Sequence, residues 1–173
     1  MGALAGALAT LLGAAAAWAG IGTSSFTARV AVNTNCNIAA APVAFGQYDP
    51  IGANRAADLN AAGLITVTCV KGTAPTIALG AGNYVSAGQR RMKNTSAESF
   101  LPYELYQPPS AAPSTPCSFP AMTPWGEAGA EVFAASAAQS KLMRTYNVCG
   151  TVRAAQNPAI GEYADTIVAT VNF

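Results

Sequence analysis

The side chains that could do chemistry in this sequence are few and widely spaced. Its 173 residues include eight acidic residues, nine basic residues and four cysteines, but no histidine. Without histidine there is no Ser–His or Cys–His couple to activate a nucleophile, although a Ser–Lys pair stays formally open. Glu127 and Glu131 could face one way on a helical turn, as a glycosidase would need, but nothing else supports that chemistry. The sequence therefore favours a structural protein over an enzyme, with no cofactor.

The four cysteines are better explained by disulfides than by a metal site. Cys36, Cys69, Cys117 and Cys149 show no C-x-x-C spacing, so a zinc site would need four isolated thiolates to converge. Two disulfides in an oxidising compartment are the better interpretation. Three connectivities are possible. We favour Cys36–Cys69 with Cys117–Cys149, because each then closes a loop of about thirty residues and would stabilise by about 3–4 kcal/mol in the loop-entropy model.

The N-terminal stretch predicts export. Residues 1–19, MGALAGALATLLGAAAAWA, carry no charge and end in small residues, Ala17 and Ala19, that fit the A-x-A cleavage pattern. No Lys or Arg precedes the apolar stretch, which is a departure from the usual signal. A membrane anchor is the alternative, but the glycines and the alanine-rich composition disfavour a stable span. We expect a signal peptide over residues 1–19.

Composition limits the remaining possibilities. The chain is 51% hydrophobic and only 10% charged, with a net charge of +1, so it can bury one substantial core and must build its surface from small and polar residues. A basic footprint for nucleic acid is missing, and we expect no nucleic-acid partner.

The elements that must carry these residues are predicted to be short strands. No long 3.6-residue period follows the signal, and β-branched or apolar runs alternate with turn residues, which is typical of an antiparallel β-sandwich. The expected strands are residues 43–46, 64–70, 76–79, 101–106 and 142–152. The runs at residues 64–70 and 76–79 are close enough in sequence to predict a hairpin.

Several segments between the strands have simple interpretations. Residues 107–120 hold five prolines and must form a loop, with Cys117 tethering it. We expect Trp125 to pack over a sheet edge and Arg90-Arg91 to form a solvated turn. Residues 127–139 could contain a short helical turn.

Two segments alternate with a period of two, which predicts strands with one apolar face. An exposed apolar edge invites pairing with another chain, and a lone strand is not stable by itself. The two segments could therefore belong together in different molecules, or the first could complete its own domain. In residues 26–32 the apolar positions are Phe26, Ala28, Val30 and Val32, and in residues 166–173 they are Ile167, Ala169, Val171 and Phe173.

A set of short motifs resembles one domain family in order and over nearly all of the exported chain. The motifs are Phe45-Gly-Gln-Tyr-Asp-Pro50, Ala57-Asp-Leu-Asn-Ala-Ala-Gly63 leading to Ile65-Thr-Val-Thr-Cys69, Lys71-Gly-Thr73, Arg90-Arg-Met92, Tyr103-Glu-Leu-Tyr106, Trp125-Gly126, Val148-Cys-Gly150 and Gly161-Glu-Tyr-Ala-Asp-Thr166. Together they resemble the spore coat protein U domain of archaic, Csu-type chaperone–usher pilus subunits.

The resemblance implies an incomplete immunoglobulin-like antiparallel β-sandwich that a donor strand from another subunit completes. Residues 20–33 would be the donor segment, with Phe26, Ala28, Val30 and Val32 entering the neighbour. Residues 34–173 would be the pilin domain, with Ile167, Ala169, Val171 and Phe173 along its open groove.

The resemblance also implies partners and location. They are neighbouring subunits in a homopolymer, a periplasmic chaperone and an outer-membrane usher, in a fimbrium that reaches the cell surface through the periplasm and serves adhesion and biofilm formation. The alternative is a secreted or spore-surface coat protein with a self-complete sandwich. Cys36 and Cys69 match the usual cysteine positions of the family, which supports their pairing and leaves Cys117 for Cys149.

Overall fold

The chain is all-β, as its sequence predicts. The structure is a computed structural model that describes residues 21–121 and 123–173, so the predicted signal peptide lies outside the described residues. No helix in these ranges is long and apolar enough to cross a membrane. The strands are β1 (Cys36–Ala41), β2 (Leu59–Cys69), β3 (Thr76–Leu79), β4 (Arg91–Asn94), β5 (Phe100–Pro102), β6 (Glu104–Tyr106), β7 (Phe133–Ala134), β8 (Arg144–Val152), β9 (Tyr163–Ala164) and β10 (Ala169–Asn172), and two short 3₁₀ turns occupy Ala53–Arg55 and Gly129–Glu131.

The strands form three antiparallel sheets around one core. The largest sheet has the order β1-β2-β8-β6, a second has the order β10-β3-β7, and a small third sheet has the order β5-β4-β9. Ile65 and Val67 of the first sheet and Ile77 and Leu79 of the second are all buried in a single hydrophobic cluster. The core therefore lies between these two sheets.

The predicted hairpin between the runs at residues 64–70 and 76–79 is wrong. β2 pairs with β1 and β8, whereas β3 pairs with β10 and β7 in the other sheet. Both β2 and β3 are rich in apolar residues, and placing them in opposite sheets lets both bury those residues in the shared core.

The run predicted at residues 101–106 forms two strands rather than one. β5 and β6 lie in different sheets, and the amide of Tyr103 between them donates to the carbonyl of Arg90 at 3.1 Å.

Trp125 and Arg90 are both more buried than we expected. Trp125 is fully buried, and its indole N–H donates to the carbonyl of Ile77 at 2.8 Å. The indole can leave the sheet edge for the core because its polar group finds an acceptor there. Arg90 is also buried, so the predicted solvated turn is wrong. Its guanidinium donates to the carbonyls of Leu79, Gly80 and Trp125 at 2.8–3.0 Å and so ties these segments together.

Two disulfides are present, in the connectivity that the sequence favours. Cys36 pairs with Cys69, its direct neighbour in the β1–β2 register. Cys117 in the proline-rich loop pairs with Cys149 of β8. The first disulfide fixes the start of β1 to its sheet, and the second holds the long loop against the molecule.

Candidate functional site

An open groove lies between the segment that follows β1 and the segment that leads into β10, two strands that each end a sheet. β1 is the last strand of the four-stranded sheet, and β10 is the last strand of the β10-β3-β7 sheet. Within the described ranges, neither has a hydrogen-bonded strand on its outer side. The two unpaired edges border the same stretch of the core, which half-buried apolar residues of both walls cover only in part.

The C-terminal wall of the groove alternates over a longer stretch than its strand. From residue 162 to residue 172 the odd-numbered residues are half-buried and the even-numbered residues are exposed. Ile167, Ala169 and Val171 pack against the core. Phe173 follows the end of β10 and is 54% exposed. Residues 163 and 165 also face inward. The predicted edge strand started only at residue 166, so the observed alternation is longer than the predicted one.

The opposite wall consists of β1 and the segment that follows it, residues 42–48. Ile38, Val43 and Phe45 are half-buried against the core, and no charged residue occurs between positions 36 and 48. Two glycines make room for this segment. A Cβ on Gly63 would lie 2.7 Å from Val43, and one on Gly150 would lie 2.7 Å from both Val43 and Phe45. Such approaches are too close for real side chains, so the wall depends on glycine at both positions.

The groove opens into two adjoining cavities. One, of about 490 Å³, is lined by Ile65, Leu79, Leu105 and Ile167 among others. The other, of about 680 Å³, is lined by Leu59, Leu101, Gly161 and Glu162 among others. We call them the inner cavity and the outer cavity. Val43, Phe45, Met92 and Tyr163 line both, so these side chains stand between the two.

Asp165 anchors the C-terminal wall. Its carboxylate accepts hydrogen bonds from the Tyr103 hydroxyl at 2.7 Å and from the Asn83 amide at 2.9 Å. Burial, together with the hydrogen bond to Asp165, raises the pKa of Tyr103 well above its usual range. The neutral phenol therefore holds the wall in place.

The predicted donor residues are exposed. Residues 21–35 contain neither helix nor strand. Phe26 is 93% exposed and Val30 is 90% exposed, and Ala28 and Val32 are exposed as well. Large apolar side chains rarely remain exposed without a partner when they recur with strand periodicity.

The described residues give little support for a glycosidase carboxylate pair or a metal site. Glu127 and Glu131 are both exposed, near the short 3₁₀ turn Gly129–Glu131. Within residues 21–121 and 123–173, no three His, Cys, Asp or Glu side chains converge in a way that could hold a metal ion.

The sequence predicted a strand at residues 43–46, where the structure has none. It did not predict that residues 42–48 form a wall of the groove or that Asp165 anchors the opposite wall. Two features of the sequence could have indicated both. Gly63 and Gly150 lie inside β2 and β8, and glycine within a strand often marks a close approach of another chain segment. The alternation that begins at residue 162 was also visible.

Three comparisons with known proteins bear on the family and the fold. Residues 22–170 match the family model described as Spore Coat Protein U domain. Protein U of Myxococcus xanthus is 32% identical over 137 residues, which cover 75% of this chain and 70% of that protein. A solved chain from the CsuC–CsuE chaperone–tip adhesion subunit pre-assembly complex of archaic chaperone–usher Csu pili of Acinetobacter baumannii is similar with a TM-score of 0.55 at 23% identity. The match covers 82% of this chain but only 40% of that longer chain, so it establishes a shared fold.

Proposed function

The chain belongs to the Spore Coat Protein U domain family, and from that premise we propose that it is a structural subunit of a surface pilus. The subunit folds with a gap between residues 42–48, which follow β1, and the residues that precede β10. Residues 20–33 of the neighbouring subunit fill that gap as a donor strand, and their apolar side chains complete the core. The function is mechanical and requires no catalysis.

The observation that carries this proposal is the pairing of an open groove with an exposed strand-like segment in one chain. The groove has two unpaired strand edges and a row of half-buried apolar residues. The segment has alternating apolar residues that are 93% exposed at Phe26 and 90% exposed at Val30. Each has what the other lacks: the groove lacks a strand, and the segment lacks a sheet.

The energetics favour association between copies. Burying Phe26, Val30 and Val32 would contribute about 1.5–3 kcal/mol each, with less from Ala28. Backbone hydrogen bonds to the free edges of the groove would add to this. Because donor and groove are different surfaces, the contact is head-to-tail and does not close on itself, so repetition of the contact produces a fibre.

The partners follow from the exposed groove. A subunit with an open apolar groove would aggregate before assembly, so we propose that a periplasmic chaperone occupies the groove until an outer-membrane usher exchanges it for the next subunit. The similar solved structure is described as a chaperone–subunit pre-assembly complex, which is consistent with such a partner. We place the assembled fibre at the cell surface, in adhesion and biofilm formation, after export that residues 1–19 direct.

Deletion of residues 20–32 tests the proposal. The deletion removes the donor but leaves both walls of the groove, so the variant should bind the chaperone and form no fibres by electron microscopy. The unchanged chain, expressed with the same chaperone and usher, should form fibres. Fibres of normal length from the deletion variant would reject residues 20–32 as the donor.

A spore-surface coat is a second candidate, because the family and the 32% identical relative both carry the name Protein U. In that role the chain would complete its own sandwich. A stable monomer purified without chaperone, with residues 26–32 protected from hydrogen exchange, would favour this role over the pilus.

A further inference from the structure

We propose that Arg29 of one copy lies beside Glu162 of the next, and that this ion pair sets the direction and register of the donor strand. In this register Phe26 enters the inner cavity, Ala28 passes Tyr163 between the cavities, and Val30 and Val32 enter the outer cavity. The inference rests on the proposed function and adds what that function leaves open, the alignment of donor and groove.

Charge is scarce on both partners, which makes the pair specific. Arg29 is the only charged residue in positions 20–33. Among the described residues that line the two cavities, Glu162 and Asp165 are the only charged ones. The Asp165 carboxylate already accepts the Tyr103 hydroxyl and the Asn83 amide. The Glu162 carboxylate is exposed and takes part in neither of the two ion pairs found in the described residues.

Both charged side chains lie on the outer face of the completed sheet. On the C-terminal wall, residue 162 belongs to the exposed, even-numbered set, while Asp165 belongs to the half-buried set. On the donor, Phe26, Ala28, Val30 and Val32 must face the core, so Arg29 faces outward. An Arg29–Glu162 pair therefore forms at the rim and places no charge in the core. The Asp165 side chain faces inward, so it cannot pair with the outward-facing Arg29.

Side-chain size gives the same alignment independently. The donor carries a large ring at Phe26, a methyl group at Ala28 and two branched side chains at Val30 and Val32. The groove carries a cavity of about 490 Å³, the four side chains shared by both cavities, and a cavity of about 680 Å³. The smallest donor residue thus meets the part of the groove that Val43, Phe45, Met92 and Tyr163 already occupy.

The ion pair and the side-chain sizes together fix the direction of the donor. Glu162 lies at the rim of the outer cavity, and Ile167 lines the inner one. Arg29 lies between Ala28 and Val30, so its pairing with Glu162 places Val30 and Val32 at the outer cavity. The donor then runs antiparallel to the C-terminal wall, with residues 26–32 opposite residues 159–165. In the opposite direction, with Ala28 still beside Tyr163, Arg29 would lie away from Glu162 on the inner-cavity side.

Charge reversal in the full-length chain tests the pair. Fibres of Arg29→Glu and of Glu162→Arg should release subunits in denaturant about three- to tenfold faster than unchanged fibres, because each reversal places like charges side by side. The double variant Arg29→Glu/Glu162→Arg should return to within about twofold of the unchanged rate. As a matched control, Arg29→Glu/Glu127→Arg should not recover, because Glu127 is exposed beside Gly80, behind β10.

One result would overturn the register: fibres of the double variant that form normally yet release subunits with an acceleration equal to the product of the two single-variant accelerations. Absence of fibres from the unchanged chain would instead reject the proposed function, so the two failures are distinguishable.

A size test gives a second readout. Ala28→Leu should speed subunit release at least tenfold, because the added side chain meets Phe45 and Tyr163, while Val32→Leu should change it less than threefold. A well-tolerated Ala28→Leu with a disruptive Val32→Leu would place Ala28 in a cavity and overturn the alignment.

Discussion

Replacing Phe26 with Ala should weaken fibres without weakening the folded subunit. The Phe26 ring is 93% exposed in the single chain, so its removal costs the subunit almost no buried area. In a fibre the same ring would be buried in a neighbour's groove, where burial of a phenylalanine contributes about 1.5–3 kcal/mol. That free energy corresponds to a roughly 10- to 150-fold change in a dissociation constant or release rate.

Ile21→Ala is the matched control for this prediction. Ile21 is 92% exposed in the single chain but lies outside the alternating run and has the opposite parity. Urea unfolding of the subunit should give the same free energy for both variants and the unchanged chain, within about 0.5 kcal/mol. Release of subunits from preformed fibres, followed by gel electrophoresis in increasing denaturant, should accelerate for Phe26→Ala alone. Equal release from the two variants would refute the reasoning.

Three further predictions concern the framework of the groove. Gly150→Ala should destabilise the subunit by about 1–3 kcal/mol in urea unfolding, because the new methyl group would overlap the Phe45 ring; an unchanged midpoint would show that residues 42–48 do not pack on β8. Arg90→Met should cost about 2–4 kcal/mol in the same assay, since buried carbonyls lose their donor; a loss below 0.5 kcal/mol, the size of an ordinary surface substitution, would contradict this. The raised pKa of Tyr103 means that the fold keeps the phenol neutral, so stability should hold below about pH 10 and fall above it as the unfolded chain ionises. Tyr103→Phe should show a shallower alkaline loss, and an identical pH profile would exclude Tyr103 as a cause.

Local patterns were sufficient to predict several strands of this fold, but the run expected at residues 43–46 is not a strand and β1 was not predicted. The bounds of β3, residues 76–79, agree with the predicted run, and β8 fills most of the run predicted at residues 142–152. Period-two alternation also identified Ile167, Ala169 and Val171 as inward-facing. These features depend on near neighbours in sequence, which the sequence displays directly.

Features that depend on distant contacts were harder to predict. Nothing local distinguishes a β2–β3 hairpin from two strands in opposite sheets, because both arrangements bury the same apolar residues. Arg90 appeared solvated because its acceptors are backbone carbonyls contributed by residues 79, 80 and 125. The segment at residues 42–48 lacks a regular strand, and its place over Gly63 and Gly150 is set by contacts across the sheet.

A cryo-electron microscopy map of the assembled fibre tests the central claim most directly, because it locates residues 26–32. The account predicts that this segment lies as a strand in the groove of the adjacent subunit, between residues 42–48 and residues 159–165, with Phe26 opposite Asp165 and Arg29 beside Glu162. A map in which residues 26–32 fold back onto their own domain, or lie outside every groove, would contradict it.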